Sequence, residues 1–172
     1  MSHNKEVYAA AMIDAEGCIS IGAANHTTKA GNSYTAYMLR IQIANTSKVL
    51  MNWIVENFGG VVYTKKANPK QKSAKLVHQW FTKGGIQAQE KFLLSILPHL
   101  LIKREQALIA LEFVRSHREQ NPEKRKLLYN RMRALNSGES VTTNTQEVEQ
   151  STMIESELIG DDKSDPVVTQ EV

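Results

Sequence analysis

One cysteine, four prolines and an aromatic content of 6% are the scarcities of this 172-residue sequence. A lone Cys18 excludes an intrachain disulfide and a cysteine-rich metal centre, so a reducing, intracellular setting is expected. No apolar run approaches the roughly 20 residues needed to span a bilayer. The longest, Phe92 to Ile102, is interrupted by Ser95, Pro98 and His99. The start, Met1-Ser2-His3-Asn4-Lys5-Glu6, has neither the apolar core of a signal peptide nor the Arg-rich face of a transit peptide. A soluble protein with no membrane partner is the expectation. The P-loop, HExxH, GxSxG and CxxC signatures are missing too. The five histidines, His3, His26, His78, His99 and His117, show no metal-ligand spacing.

What is present is an ordinary globular mixture, 41% hydrophobic and 23% charged, enough for one domain with a real core. Its net charge of +3 hides an asymmetry. Residues 1–136 hold 20 of the 21 basic residues and 9 of the 18 acids, a net +11, and residues 137–172 carry −8. So basic a body attracts a polyanion, and nucleic acid is the commonest one in cells. The acidic segment 137–172 has no aromatic residue and no sustained periodicity. It is expected to be a disordered tail, because it cannot bury enough apolar area to offset its ordering entropy.

Within 1–136 the periodicity predicts a helix from Lys5 to about Asp14, stopped by Gly17. A strand Cys18–Ala23 follows, then a polar loop holding Asn25, His26, Gly31 and Asn32, and a strand Tyr37–Ile43. Leu39, Ile41 and Ile43 share one face of that strand, and Met38, Arg40 and Gln42 the other. A helix Lys48–Asn57 ends at Gly59-Gly60, and a strand pair, Val61–Lys66 and Lys75–Thr82, comes next. Helices are expected at about Ile86–Leu97 and Arg104–His117. Asn121 and Pro122 announce a last one, with Leu127, Leu128 and Leu135 as its apolar side.

The segment Tyr8-Ala9-Ala10-Ala11-Met12-Ile13-Asp14-Ala15-Glu16-Gly17-Cys18 stands out. Small residues run along a short helix and two acids sit at its C-terminal end, where the helix dipole is already negative. Carboxylates there suggest an offsetting cation, and a divalent ion with oxygen ligands, Mg²⁺-like, fits. Solvated loop acids are the alternative.

Ala9 to Gly17, AAAMIDAEG, resembles the signature of the LAGLIDADG homing endonucleases, with Ala9, Ala11 and Glu16 as departures. Ile43-Ala44-Asn45-Thr46-Ser47 after a basic-faced strand, Phe58-Gly59-Gly60, and Leu97-Pro98-His99-Leu100-Leu101-Ile102-Lys103-Arg104-Glu105-Gln106-Ala107 support the likeness, which spans about residues 5–118. The resemblance implies an α+β fold of order αββαββα, with helices packed on one side of a saddle-shaped antiparallel sheet. It implies a metal-dependent double-stranded DNA endonuclease in which Glu16 ligates a divalent metal, Ala15 offers a backbone carbonyl, Lys103 lies near the scissile phosphate and Asn45 positions water or metal. Asp14 would tie down the helix end. One motif per chain implies a homodimer, with Tyr8, Ala11 and Ala15 on the approaching helices. Outward strand residues Arg40, Gln42, Tyr63, Lys65, Lys75 and Gln79 are expected in the DNA major groove, and loop residues Asn25, Lys29, Asn32, Lys66, Lys70 and Lys72 at phosphates. The other implied function is a non-cleaving member of the family: a maturase bound to intron RNA, or a DNA-binding protein.

Overall fold

The computed structural model describes residues 3–65 and 75–138. Lys66, Lys70, Lys72 and the acidic segment beyond position 138 lie outside them. The elements run α1 (His3–Glu16), β1 (Gly17–Thr27), β2 (Ser33–Asn45), α2 (Lys48–Phe58), β3 (Val61–Lys65), β4 (Val77–Phe81), α3 (Gly85–Ile96), a single 3₁₀ turn (Leu97–His99), α4 (Arg104–Arg118) and α5 (Pro122–Ser137). The order is αββαββα followed by two further helices, an α+β fold. No helix among the described residues is long and apolar enough to cross a membrane.

Local chemistry explains the element ends. Helix α1 buries Ala9, Ala10, Met12 and Ile13 and passes into β1 with no intervening loop. Gly17 makes that junction possible: a Cβ there would lie 2.6 Å from Ile13 Cα and 2.7 Å from its carbonyl oxygen. Ser47 caps α2 by accepting from the Leu50 amide, and Gly59, at φ 69°, ends it. Asn121 caps α5 by accepting from the Lys124 amide at 3.0 Å, ahead of Pro122 in the first turn.

The four strands form one antiparallel sheet in the order β1-β2-β4-β3. Its inner face carries Ile19, Ile21, Leu39, Ile41, Ile43 and Trp80, all buried, and each contributes roughly 1.5–3 kcal/mol by leaving water. Trp80 Nε1 donates to the Gly59 carbonyl at 2.7 Å, which pins the end of α2 to the sheet. The outer face carries Ser20, Arg40, Gln42 and Tyr63, open or half-open to solvent. Alternation along β2 therefore runs as its sequence indicates.

Three expectations need correction. The β1–β2 hairpin is longer than the apolar alternation indicated: pairing continues through Asn25↔Thr35 to Thr27↔Ser33, so Asn25 and His26 are strand residues and only the segment 28–32 is a turn. Cross-strand bonds carry this polar extension, Thr35 Oγ1 donating to Asn25 Oδ1 at 2.9 Å and Thr27 Oγ1 meeting Ser33 Oγ at 3.3 Å. Lys75 precedes β4 instead of opening it. In α5 the buried residues are Leu128 and Met132, whereas Leu127 is exposed.

Candidate active site and nucleic-acid interface

The two acids of the α1 motif have separate surroundings. Asp14 turns toward the segment between α3 and α4. Its Oδ2 accepts from the Leu101 amide at 2.8 Å and its Oδ1 from the Lys103 amide at 2.9 Å. Lys103 adds its side chain, Nζ donating to the Asp14 carbonyl at 2.5 Å. The ammonium thus sits where the helix leaves carbonyls without partners and its dipole is negative. Part of the charge compensation expected at this helix end therefore comes from the protein itself.

Glu16, two residues on, is exposed, and no hydrogen bond or ion pair to its carboxylate is found among the described residues. Lys103, held to Asp14, lies at the same end of α1. The donor set there, the Glu16 carboxylate and the Ala15 carbonyl, is hard oxygen, which suits Mg²⁺ or Ca²⁺ and not a soft metal. No group of three His, Cys, Asp or Glu side chains that could hold a metal ion converges among the described residues. Asn45 lies at the same end of the sheet, since Gly17 pairs with Ile43. It is half-buried, and its Oδ1 accepts from the Ser47 amide at 2.8 Å, a turn that opens α2. Its side-chain oxygen already has a structural job.

The outer sheet face forms an open cavity of about 760 Å³. Arg40, Gln42, Tyr63, Lys65 and Gln79, five of the expected outward residues, line it together. Thr82 and Lys83 join them unanticipated, although continuing the alternation past Gln79 and Phe81 leads to Lys83. Arg40, Lys65 and Lys83 make the lining cationic, and no acid among the described residues borders it. Asn25 is elsewhere: an odd number of residues from Ser20, the register partner of Arg40, it faces the opposite side of the hairpin. Lys29 and Asn32 lie in the exposed hairpin turn, and Lys75 is exposed just before β4.

One strip of the exposed surface of α1 is apolar. Tyr8, 48% exposed, sets its ring edge-on to Trp53 at 4.7 Å, and Ala11 and Ala15 follow it along the helix, also exposed. Leu101 and Ile102, 88% and 73% exposed, lie on the segment that Asp14 holds.

Neither a protein-family model nor a curated protein matches the sequence. Solved structures do match the fold. The homing endonuclease I-CvuI, in complex with its target in the presence of calcium, aligns with a TM-score of 0.60 at 18% identity, over 88% of this chain and 94% of that one. The archaeal intron-encoded homing endonuclease I-Vdi141I, complexed with DNA, aligns at 0.61 and 16% identity, over 90% and 96%. The LAGLIDADG homing endonuclease I-LtrWI, bound to target DNA, aligns at 0.58 and 18%, over 77% of this chain but 45% of that one. The fold is that of the homing endonucleases. More narrowly it is the LAGLIDADG fold, with the AAAMIDAEG segment on the helix that delivers Glu16.

Proposed function

We propose that this protein is a site-specific, divalent-metal-dependent endonuclease of double-stranded DNA that acts as a homodimer. The observation that carries this function is an exposed Glu16, without a hydrogen-bond or ion-pair partner among the described residues, at the helix end to which the Lys103 ammonium is fixed, beside a sheet whose outer face is cationic. Two-stranded ribbons fit the major groove, where each base pair displays its own donors and acceptors. Arg40 suits the O6 and N7 acceptors of guanine, and Gln42 and Gln79 suit adenine. Lys65 and Lys83 neutralise phosphates, a contribution that weakens as salt rises.

Glu16 and the Ala15 carbonyl would hold a divalent cation. Such an ion, when bound, supplies a more acidic water and neutralises phosphate charge. Lys103 places a second positive charge where negative charge develops on the phosphate. Because each chain contributes one Glu16, cutting both strands takes two chains. The exposed strip of Tyr8, Ala11, Ala15, Leu101 and Ile102 gives them a surface to share, with small side chains allowing close helix approach. Coverage of under half of I-LtrWI, against nearly all of I-CvuI, agrees with a unit that works in pairs.

The test is incubation of the full chain with Mg²⁺ and a duplex library, followed by sequencing of the ends. Double-strand breaks at a defined sequence are expected, and Glu16→Gln should remove them while leaving DNA affinity within a few-fold. Binding without cleavage, indifferent to Glu16→Gln, would instead identify a non-cleaving binder.

A further inference from the structure

The outer face of the long hairpin changes character along its length. Register puts Cys18 with Gln42, Ser20 with Arg40, Gly22 with Met38, Ala24 with Ala36 and His26 with Tyr34 on that face. The first two pairs are polar or charged. The next two contain only small side chains and one large one, Met38, which is 51% exposed. The last is a stacked ring pair, His26 on Tyr34 with centroids 5.4 Å apart, and Tyr34 is 56% exposed.

Gly22 sharpens the contrast. It sits mid-strand with an ordinary backbone, and a Cβ built on it would meet only the Met38 carbonyl oxygen, at 3.8 Å. Nothing in the fold requires glycine there. A strand glycine without an internal reason often marks the close approach of another molecule. Beside it, an exposed methionine offers a flexible, polarisable surface with no hydrogen-bonding capacity that discriminates bases. The base feature in the major groove that rewards such a surface is the C5 methyl of thymine.

Resting on the endonuclease function above, we propose that Met38, with the space left by Gly22 and Ala36, is a specificity determinant that reads a thymine methyl in the outer part of each half-site. Two residues of strand advance by about 6.7 Å, and base pairs stack about 3.4 Å apart, so the Met38 contact falls about two base pairs outside that of Arg40. The half-site is thus read by hydrogen bonds near the cleavage centre and by apolar contact further out. Tyr34 and His26 extend the same face by about four more base pairs.

The experiment selects duplexes from a randomised pool with the full-length protein, then locates the positions governed by Arg40 and Met38 from the preferences that Arg40→Ala and Met38→Gln relax. A thymine preference at the Met38 position, about two base pairs outside the Arg40 position, is expected. Replacing that thymine with deoxyuridine removes only the methyl group and should weaken wild-type binding about fourfold, the equivalent of about 0.8 kcal/mol. The same replacement should leave Met38→Gln binding unchanged. Gly22→Val, which suits a strand, should fold as well as wild type yet bind the selected duplex at least tenfold more weakly. A selected sequence without thymine there, or indifference to deoxyuridine, overturns the Met38 assignment while the endonuclease function stands. Recovery of no preferred duplex at all overturns that function and this assignment together.

Discussion

Removing the Asp14 carboxylate should unfold the protein more easily without touching the chemistry directly. Its two oxygens accept from the Leu101 and Lys103 amides at 2.8 and 2.9 Å, tying α1 to a segment nearly ninety positions away. Hydrogen bonds to a charged group contribute about 1.5–3 kcal/mol each when shielded from water. Leu101 is exposed and Lys103 only half-buried, so the lower part of that range applies. Asp14→Ala should therefore cost roughly 3–4 kcal/mol, and Asp14→Asn, which keeps one acceptor, about half as much. Urea unfolding without metal or DNA measures this as a lower midpoint at unchanged slope. Glu16→Gln is the control: an exposed side chain with no partner among the described residues should change stability by no more than about 0.5 kcal/mol. If Asp14→Ala were as stable as wild type, or if Glu16→Gln fell with it, the division of labour between the two acids would be refuted.

Two further outcomes are expected. Gly17→Ala forces a Cβ against Ile13 backbone atoms at 2.6 and 2.7 Å, so it should destabilise by about 1–3 kcal/mol and lower cleavage by displacing Glu16; thermal melting and a cleavage assay report the two effects separately. Lys103→Met keeps the main-chain bond to Asp14 but loses the ammonium, so the cleavage rate should fall about 10²-fold or more with DNA affinity changed less than tenfold, read by single-turnover kinetics and a binding titration.

The element order is legible in the sequence because two periods alternate cleanly. Leu39, Ile41 and Ile43 repeat every second residue, Leu50, Trp53 and Ile54 at helical spacing, and glycines 17, 59 and 60 mark the joints. The length of the β1–β2 hairpin is not legible: Asn25, Thr27, Ser33 and Thr35 hold it together by cross-strand pairing, yet polar residues in a row read as a loop. Alternation also puts Arg40, Gln42, Tyr63 and Gln79 on one surface, because strand parity is a local property. Exposure of Leu101 and Ile102 is not local. It follows from the Leu101 and Lys103 amides turning toward Asp14, a contact across the fold that no short window of sequence contains.

The spacing of the two acids explains how one helix end holds Asp14 against a distant segment and leaves Glu16 open to solvent. Side chains two positions apart on a helix point in nearly opposite directions, unlike those three or four apart, which share a face. With Asp14 aimed at the segment 101–103, Glu16 is thereby turned away from it and left open to solvent. Gly17, with no Cβ to strike Ile13, lets the chain leave the helix at once into β1, so the acid sits at the root of the sheet whose outer face carries Arg40 and Gln42. An acid at position 15 would point elsewhere, and a bulkier residue at 17 would carry Glu16 away from the strands. The carboxylate's position follows from a spacing of two and a missing side chain, both fixed within four consecutive residues.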